Sequence, residues 1–371
     1  MQRRHLLGIL AGAATAVSAL SPALAQEPVR IGYTIARTGL FSAAAPSHEQ
    51  AYTLWAEQVN AEGGLDVGGI RRPVELIAYD DESDPAKSAQ LYERLITSDG
   101  VDLLLAPWGT PHHLNVAGVV ERYGFPMVGN TAASVAIRQV QPGNIWFPTA
   151  AIPDRIGAEL ARMLSESGIT SVAILANVLP FSQETLQFLV PALGEAGIEI
   201  RMQENYPPDI SDMTPLLTQL RSAAPDAVIA LTYPADAFLY TGQARELGIA
   251  PRLQFLLVGP TIDAFAQAFG PVADGIVTLA YWSPEQAAWP CGAAFFDAYV
   301  ARFGQEPDYL DSALADMSAE ILQQAVAISG LDHDALRQAI ATGSFETING
   351  TVRFDGVENV VTPTAFVQRQ D

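Results

Sequence analysis

The sequence predicts an α/β protein of two lobes, each a parallel sheet flanked by helices, with a hinge between them. Three observations lead there. Short β-rich runs alternate with helical stretches along nearly the whole chain, the pattern of a doubly wound sheet. The series runs once and then begins again, similar in plan and not in sequence. Removing 25 leader residues from 371 leaves 346, a length that suits two domains with a core each.

The leader comes first. Arg3 and Arg4 precede an apolar stretch from Leu6 to about Leu20, and Ala23-Leu24-Ala25 is a small-x-small cleavage triplet. Residues 1–25 therefore read as a signal peptide, with the mature chain starting at Gln26. The stretch is too short and too rich in Ala and Gly for a strong membrane span, and the alternative is a buried N-terminal helix. Arg3-Arg4-x-Leu-Leu is also compatible with twin-arginine export. No second long apolar run follows, so a soluble, exported, periplasmic protein is expected.

Strands are predicted at Val29–Thr34, Val74–Tyr79, Val101–Ala106 and Pro126–Val128, with helices at Ser47–Glu62, Pro85–Ser98 and Pro111–Tyr123 between them. The second series places strands at Val172–Ala176, Ile198–Met202, Ala227–Leu231, Phe255–Val258 and Gly275–Trp282. Its helices fall near Pro153–Ser167, Ser182–Ala196, Asp212–Ser222 and Ala235–Leu247. Three more helices follow, near Cys291–Phe303, Asp311–Ile328 and Asp332–Ala341. At the end, Gly350–Phe354 and Thr364–Gln368 alternate apolar and polar residues around an Asp355-Gly356 turn, which reads as a closing hairpin or ribbon. Chain crossings between lobes are expected near Phe147–Ala151, Tyr281–Pro284 and Gly350–Phe354. That assigns residues 26–147 plus 283–349 to one lobe and 148–282 plus 350–371 to the other.

Composition excludes several functions. The formal charge is −21, and loss of two leader arginines takes it to −23, a surface that repels nucleic acid and anionic membranes. Lys87 is the only lysine, and Asp84-Pro85-Ala86-Lys87-Ser88 fits neither a P-loop nor a Schiff-base site. Cys291 is the only cysteine, so no internal disulfide, cysteine-based zinc site or iron–sulfur site can form. Gly-x-Ser-x-Gly and His-Glu-x-x-His are absent. His112-His113 sits in one helical turn with side chains about 100° apart, too divergent for one metal ion, and is expected at a surface or rim. Asp80-Asp81-Glu82 lacks calcium-loop spacing and is expected to cap the helix near Pro85. No enzyme activity, cofactor or metal is expected.

Ligands of open α/β sheets sit beyond the carboxyl ends of the strands. Two such loops stand out. Trp108-Gly109-Thr110-Pro111 carries a helix-start signature, with Thr110 as N-cap and Pro111 in the first helical position. Asn130-Thr131-Ala132-Ala133-Ser134 is a second polar cap. Two helix starts with hydroxyls and free amides make an anion site suited to a carboxylate. The plainer reading is a pair of ordinary helix caps.

At these residues the chain resembles the leucine/isoleucine/valine-binding proteins, type I periplasmic solute-binding proteins of ABC importers. The markers are Thr38-Gly39, Asn60-Ala61-Glu62-Gly63-Gly64-Leu65, the run from Tyr79 to Pro85, Tyr123-Gly124-Phe125-Pro126-Met127, and Gln243-Ala244-Arg245-Glu246-Leu247-Gly248. The resemblance implies a carboxylate clamp at Thr110, acting through its hydroxyl, with Thr131 and Ala133 acting through backbone groups. It places aromatic contacts at Phe181 and Tyr233 in the second lobe and Tyr309 in the first. The family acid that grips an α-ammonium group falls at Thr261, which offers no charge. Either Asp263, Asp236 or Asp311 substitutes, or the ligand has no ammonium. Trp108 replaces part of a small-residue pattern and is either a pocket wall or a lobe–lobe contact.

The resemblance implies capture of a small carboxylate with an apolar body between the lobes, and its delivery to an ABC permease. The guest would be a branched-chain or other hydrophobic amino acid, or an aromatic or aliphatic acid. An extracytoplasmic sensor on the same fold is the alternative. A monomer is expected.

Overall fold

The computed structural model describes residues 26–139, 143–149, 152–285, 291–361 and 365–368. The expected leader lies outside them. No helix of these residues is long and apolar enough to cross a membrane.

Five strands form the first sheet: β1 (Val29–Ile35), β2 (Val74–Asp80), β3 (Leu103–Leu105), β4 (Met127–Val128) and β5 (Ile145–Trp146). Their order is β2-β1-β3-β4-β5, and every pairing is parallel. The crossovers are α1 (Ala45–Ala61), α2 (Pro85–Arg94) and α3 (Thr110–Tyr123). Pro85 opens α2 behind Asp84, whose side chain accepts from the amides of Ala86 and Lys87. The cap is thus Asp84, and the expected acidic run does other work. Asp80 accepts from the Thr38 hydroxyl (2.9 Å), and Asp81 accepts from the Thr34 hydroxyl (2.8 Å). Both tie β2 to the carboxyl end of β1.

The second sheet holds β6 (Ser171–Asn177), β7 (Glu199–Tyr206), β8 (Ala227–Leu231), β9 (Leu253–Leu256), β10 (Ile276–Ala280) and β11 (Ala365–Gln368). The order is β11-β10-β9-β8-β6-β7, parallel except for β11. All seven residues of β6 and all five of β8 are buried, which is why these segments read as unbroken apolar runs. β7 alternates exposed Glu199 and Arg201 with half-buried Ile200 and Met202, a charged edge strand. α4 (Pro153–Glu166), α5 (Pro180–Glu195), α6 (Thr214–Ala223), α7 (Pro234–Glu246) and α8 (Asp263–Phe269) belong to this sheet.

α9 (Gly292–Phe303), α10 (Asp311–Ser329) and α11 (His333–Thr342) return to the first sheet. The Tyr299 hydroxyl on α9 donates to Gln50 on α1 (2.5 Å), and Trp55 Nε1 on α1 donates to Gln323 on α10 (2.8 Å).

The closing ribbon differs from expectation. Gly350–Val352 pairs with Phe345–Thr347, and the Asp355-Gly356 turn joins Phe354–Asp355 to Glu358–Asn359. Ala365–Gln368 pairs with β10 instead; Thr364 lies outside the described residues. β10 is buried at all five positions, and its outer edge carries backbone groups that a lone ribbon would leave unpaired.

Candidate functional site

Strand order reverses between β1 and β3 in the first sheet and between β6 and β8 in the second. Such switch points open a crevice at the carboxyl ends of the strands. The segments that leave them carry Phe41 after β1, Trp108 after β3, Phe181 in the first turn of α5 after β6, and Tyr233 after β8. Three of these rings meet. Phe41 lies 5.0 Å from Trp108 and 5.6 Å from Tyr233, and Trp108 stands edge-on to Tyr233 at 6.4 Å. All three are buried. Trp108 is therefore a contact between the two sheets' loops. Phe41 escaped the sequence reading, although the strand-end rule applied equally to the loop after β1.

A polar contact joins the same loops nearby. Glu184, on α5, accepts from the Ser134 hydroxyl (2.7 Å) and the Val135 amide (2.8 Å). Both donors follow β4 in the first sheet.

Gly109 shapes the turn after β3. Its φ of 81° and ψ of 150° suit only glycine. It takes the N-cap place expected for Thr110, and it has no side chain to cap with. Thr110 becomes the first helical residue, and its hydroxyl reaches the neighbouring loop instead. It accepts from the Ala133 amide (3.0 Å) and donates to the Ala133 carbonyl (3.2 Å). The Gly109 amide donates to the Thr131 hydroxyl (2.7 Å), which donates to Asn130 Oδ1 (2.9 Å). Thr110, Thr131 and Ala133 are thus brought together, but the Thr110 hydroxyl and the Thr131 and Ala133 amides pair within the two loops. Early amides of α3, those of Thr110 and His112, have no acceptor inside the helix. The second expected helix is a five-residue 3-10 turn, Val135–Gln139, whose Ala136 amide donates to Ser134 Oγ (3.0 Å).

A buried network holds the second loop. The Asn130 side-chain amide donates to the Tyr52 hydroxyl (2.7 Å) and lies 3.1 Å from His48 Nε2; the Tyr52 hydroxyl donates to the Ala106 carbonyl (3.0 Å). His113 Nε2 accepts from the Asn130 amide (3.2 Å), and His113 Nδ1 donates to the Gly109 carbonyl (2.8 Å). One imidazole thereby pins both loops. Burial lowers His113 to about 4 and His48 to about 3, so both are neutral at pH 7. His112 and His113 are both 0% exposed, against the surface position expected of them. α3 is covered on two sides: Phe41 stands edge-on to His112 at 5.6 Å, and His113 faces Phe147 at 6.3 Å. His112 Nε2 lies 3.4 Å from Asp81 Oδ1.

The remaining predicted residues divide. Phe181 is buried in the first turn of α5, and its backbone approaches the Tyr233 hydroxyl without completing a hydrogen bond. Thr261 is buried beyond β9, in a loop whose Gly259 leaves no room for a Cβ against Ala237 (2.4 Å). Tyr309 is half-buried, 5.8 Å from the Trp282 ring, and lies just ahead of α10. Trp108 Nε1, the Tyr233 hydroxyl and Thr261 Oγ1 are all buried without a hydrogen-bond partner in the protein.

The acids weighed as substitutes at Thr261 also separate. Asp263 accepts from its own helix neighbour Gln267 (2.5 Å). Asp236 accepts from Tyr206, Asn177 and the Tyr233 amide, and burial raises it to about 6. Neither oxygen of the buried Asp311 carboxyl is hydrogen-bonded. Among the described residues no cluster of histidine, cysteine and acids is arranged to hold a metal ion.

A profile of the family described as periplasmic binding protein matches residues 28–371. The chain is similar to Leu/Ile/Val-binding protein homolog 8 of Brucella suis biovar 1 (strain 1330), 24% identical over 360 residues, 91% of this chain and 85% of that protein. Among solved structures it is similar to the branched-chain amino acid transporter substrate binding protein LivJ of Streptococcus pneumoniae, in complex with isoleucine. The TM-score is 0.84 at 21% identity, over 92% of this chain and 96% of the other. An R. palustris ABC-transporter solute binding protein in complex with benzoate gives a TM-score of 0.80 at 19% identity, over 92% and 93%. These likenesses bear out the two-lobed α/β fold.

Proposed function

Because the chain belongs to the periplasmic binding protein family, we propose that it is an exported solute-binding protein that captures a small acid with an apolar body between two lobes and delivers it to an ABC permease. One observation carries the reading: the switch-point loops of both sheets meet across Phe41, Trp108 and Tyr233. A pocket assembled from both lobes makes closure depend on the guest, since contacts from the two sides favour the closed form.

In this reading the loops after β3 and β4 take the acid group. Thr110 supplies a hydroxyl, early amides of α3 supply donors, and Thr131 and Ala133 frame the turn. An entering carboxylate competes with the Ala133 carbonyl for the Thr110 proton. Trp108, Phe181 and Tyr233 cover the apolar body, with Phe41 beside them. Thr261 and Tyr309 complete the wall. The lobes are residues 26–147 plus 283–349 and 148–282 plus 350–371; the packing of α9 and α10 on α1 and the pairing of β11 with β10 support that division, while the pairing of Phe345–Thr347 with Gly350–Val352 moves the last crossing beyond Val352. Residues 1–25 serve as the export signal, and the mature protein works as a periplasmic monomer. The reading asks for no bond-making chemistry.

The relatives solved with isoleucine and with benzoate define the two ligand classes to test. A thermal-shift screen of the mature chain against hydrophobic amino acids and aromatic or aliphatic acids should find a member that raises the melting temperature by several degrees. Ligand at about 100 times its Kd stabilises by roughly 2.7 kcal/mol. A melting temperature that no member of either class moves would count against the proposal.

A further inference from the structure

Among the described residues three non-glycine residues take a left-handed backbone, and two of them are adjacent: Glu82 (φ 56°) and Ser83 (φ 61°), in the turn between β2 and α2. Such backbone costs stability and persists where its surroundings over-determine it. Two acids do so here. Asp80 accepts from the Glu82 amide (2.9 Å), and Asp81 accepts from the Ser83 amide (3.0 Å). The half-buried Ser83 side chain is thereby turned toward the loop after β1. Its hydroxyl donates to the Thr38 carbonyl (2.7 Å) and accepts from the Phe41 amide (3.0 Å). One side chain thus closes the loop from Thr38 to Phe41. α1, which follows that loop, has no side-chain cap of its own.

Phe41 carries this arrangement into the contact between the sheets. Its buried ring lies 5.0 Å from Trp108 and 5.6 Å from His112, both of the first sheet's side, and 5.6 Å from Tyr233 of the other. The bonds of Ser83 all lie within the first sheet's loops, so parting of the two sheets leaves them intact. A ring held in place before the guest arrives loses less freedom on binding. We propose that Ser83 is a positioning residue for ligand capture: its hydroxyl fixes the loop after β1, so that Phe41 and Trp108 form a preset platform for the apolar body of the guest and for Tyr233 on closure. The proposal rests on the interlobe capture argued above and names the residue that sets its first-lobe half.

Calorimetric titration of the mature protein with leucine, isoleucine, phenylalanine and benzoate tests it. Ser83→Ala should weaken each probe that the parent binds by about fivefold or more, the scale of one lost ring contact. Ser83→Gly separates the hydroxyl from the backbone. Glycine suits a φ of 61° better than alanine, so this variant should melt no lower than Ser83→Ala and yet bind as weakly. Parent-like affinity in Ser83→Gly would mean that the shape of the turn alone matters, and it overturns the proposal. A double-mutant cycle adds a readout that a merely structural role does not move. Phe41→Ala should weaken binding by about tenfold or more, and adding Ser83→Ala to it should cost less than about twofold further. Equal factors in the two backgrounds overturn the proposal, because Ser83 then acts independently of Phe41. Thr110→Val separates the two levels. If it weakens binding while Ser83→Ala does not, acid capture stands and the role of Ser83 falls. If the parent binds none of the four, both fall together.

Discussion

His113 links the two loops that frame the proposed clamp, through the Gly109 carbonyl on one side and the Asn130 amide on the other. Only the neutral ring can accept from Asn130. With its pKa lowered from 6.5 to about 4 by burial, the folded protein refuses a proton that the unfolded chain takes up in that window. Its contribution is therefore complete above pH 6.5 and is lost as pH falls toward 4, about 2–3 kcal/mol by pH 4.5. Asp236, raised to about 6, acts with the opposite sign, so the parent alone gives a mixed slope. The comparison with His113→Gln cancels that term. Urea unfolding at pH 7 and pH 4.5 should show the variant losing less stability than the parent by about 2 kcal/mol. Identical losses would mean that His113 does not stay neutral. At this scale the sequence revealed Thr110 and Trp108, because strand-end loops are recognisable from local pattern. The burial of His112 and His113 was hidden, since whether a helix is covered on one side or two depends on chain distant from it. That the Asp311 carboxyl is buried with neither oxygen hydrogen-bonded is a fact of packing that no local pattern shows.

Glu184 is the element-scale device. It reaches from α5 to the Ser134 hydroxyl and Val135 amide, and separation of the two sheets would break both bonds. Hydrogen bonds to a charged group contribute about 1.5–3 kcal/mol each in net terms. Glu184→Ala should therefore favour the open arrangement. Small-angle scattering should show a larger ligand-free radius of gyration, and the apparent Kd should rise by about tenfold. A variant with the parent's radius and affinity would exclude Glu184 from closure. The β-α alternation was legible because each element's periodicity is local. The ending was not. The Asp355-Gly356 turn was read rightly, but the choice of β10 as partner for Ala365–Gln368 depends on an open sheet edge about ninety residues earlier. The 3-10 turn at Val135–Gln139 is similar: a polar cap announces a helix start and says little about how far the helix runs.

For the whole molecule, the repeated β-α plan predicted two sheets, and two sheets with facing switch points are what place the rings together. The net charge of −21 opposes a guest that carries a negative charge, so in the proposed capture local dipoles and hydroxyls must hold the acid group against that background. That makes the loops after β3 and β4 the decisive part of the account. The direct measurement is a calorimetric titration of the best acid from the thermal-shift screen into the parent and into Thr110→Ala. The variant loses the hydroxyl that joins the two loops and that the proposed capture assigns to the acid group. The affinity of the variant should be at least about tenfold weaker, roughly 1.4 kcal/mol, with the fold retained. Parent-like affinity in a folded Thr110→Ala protein would contradict it.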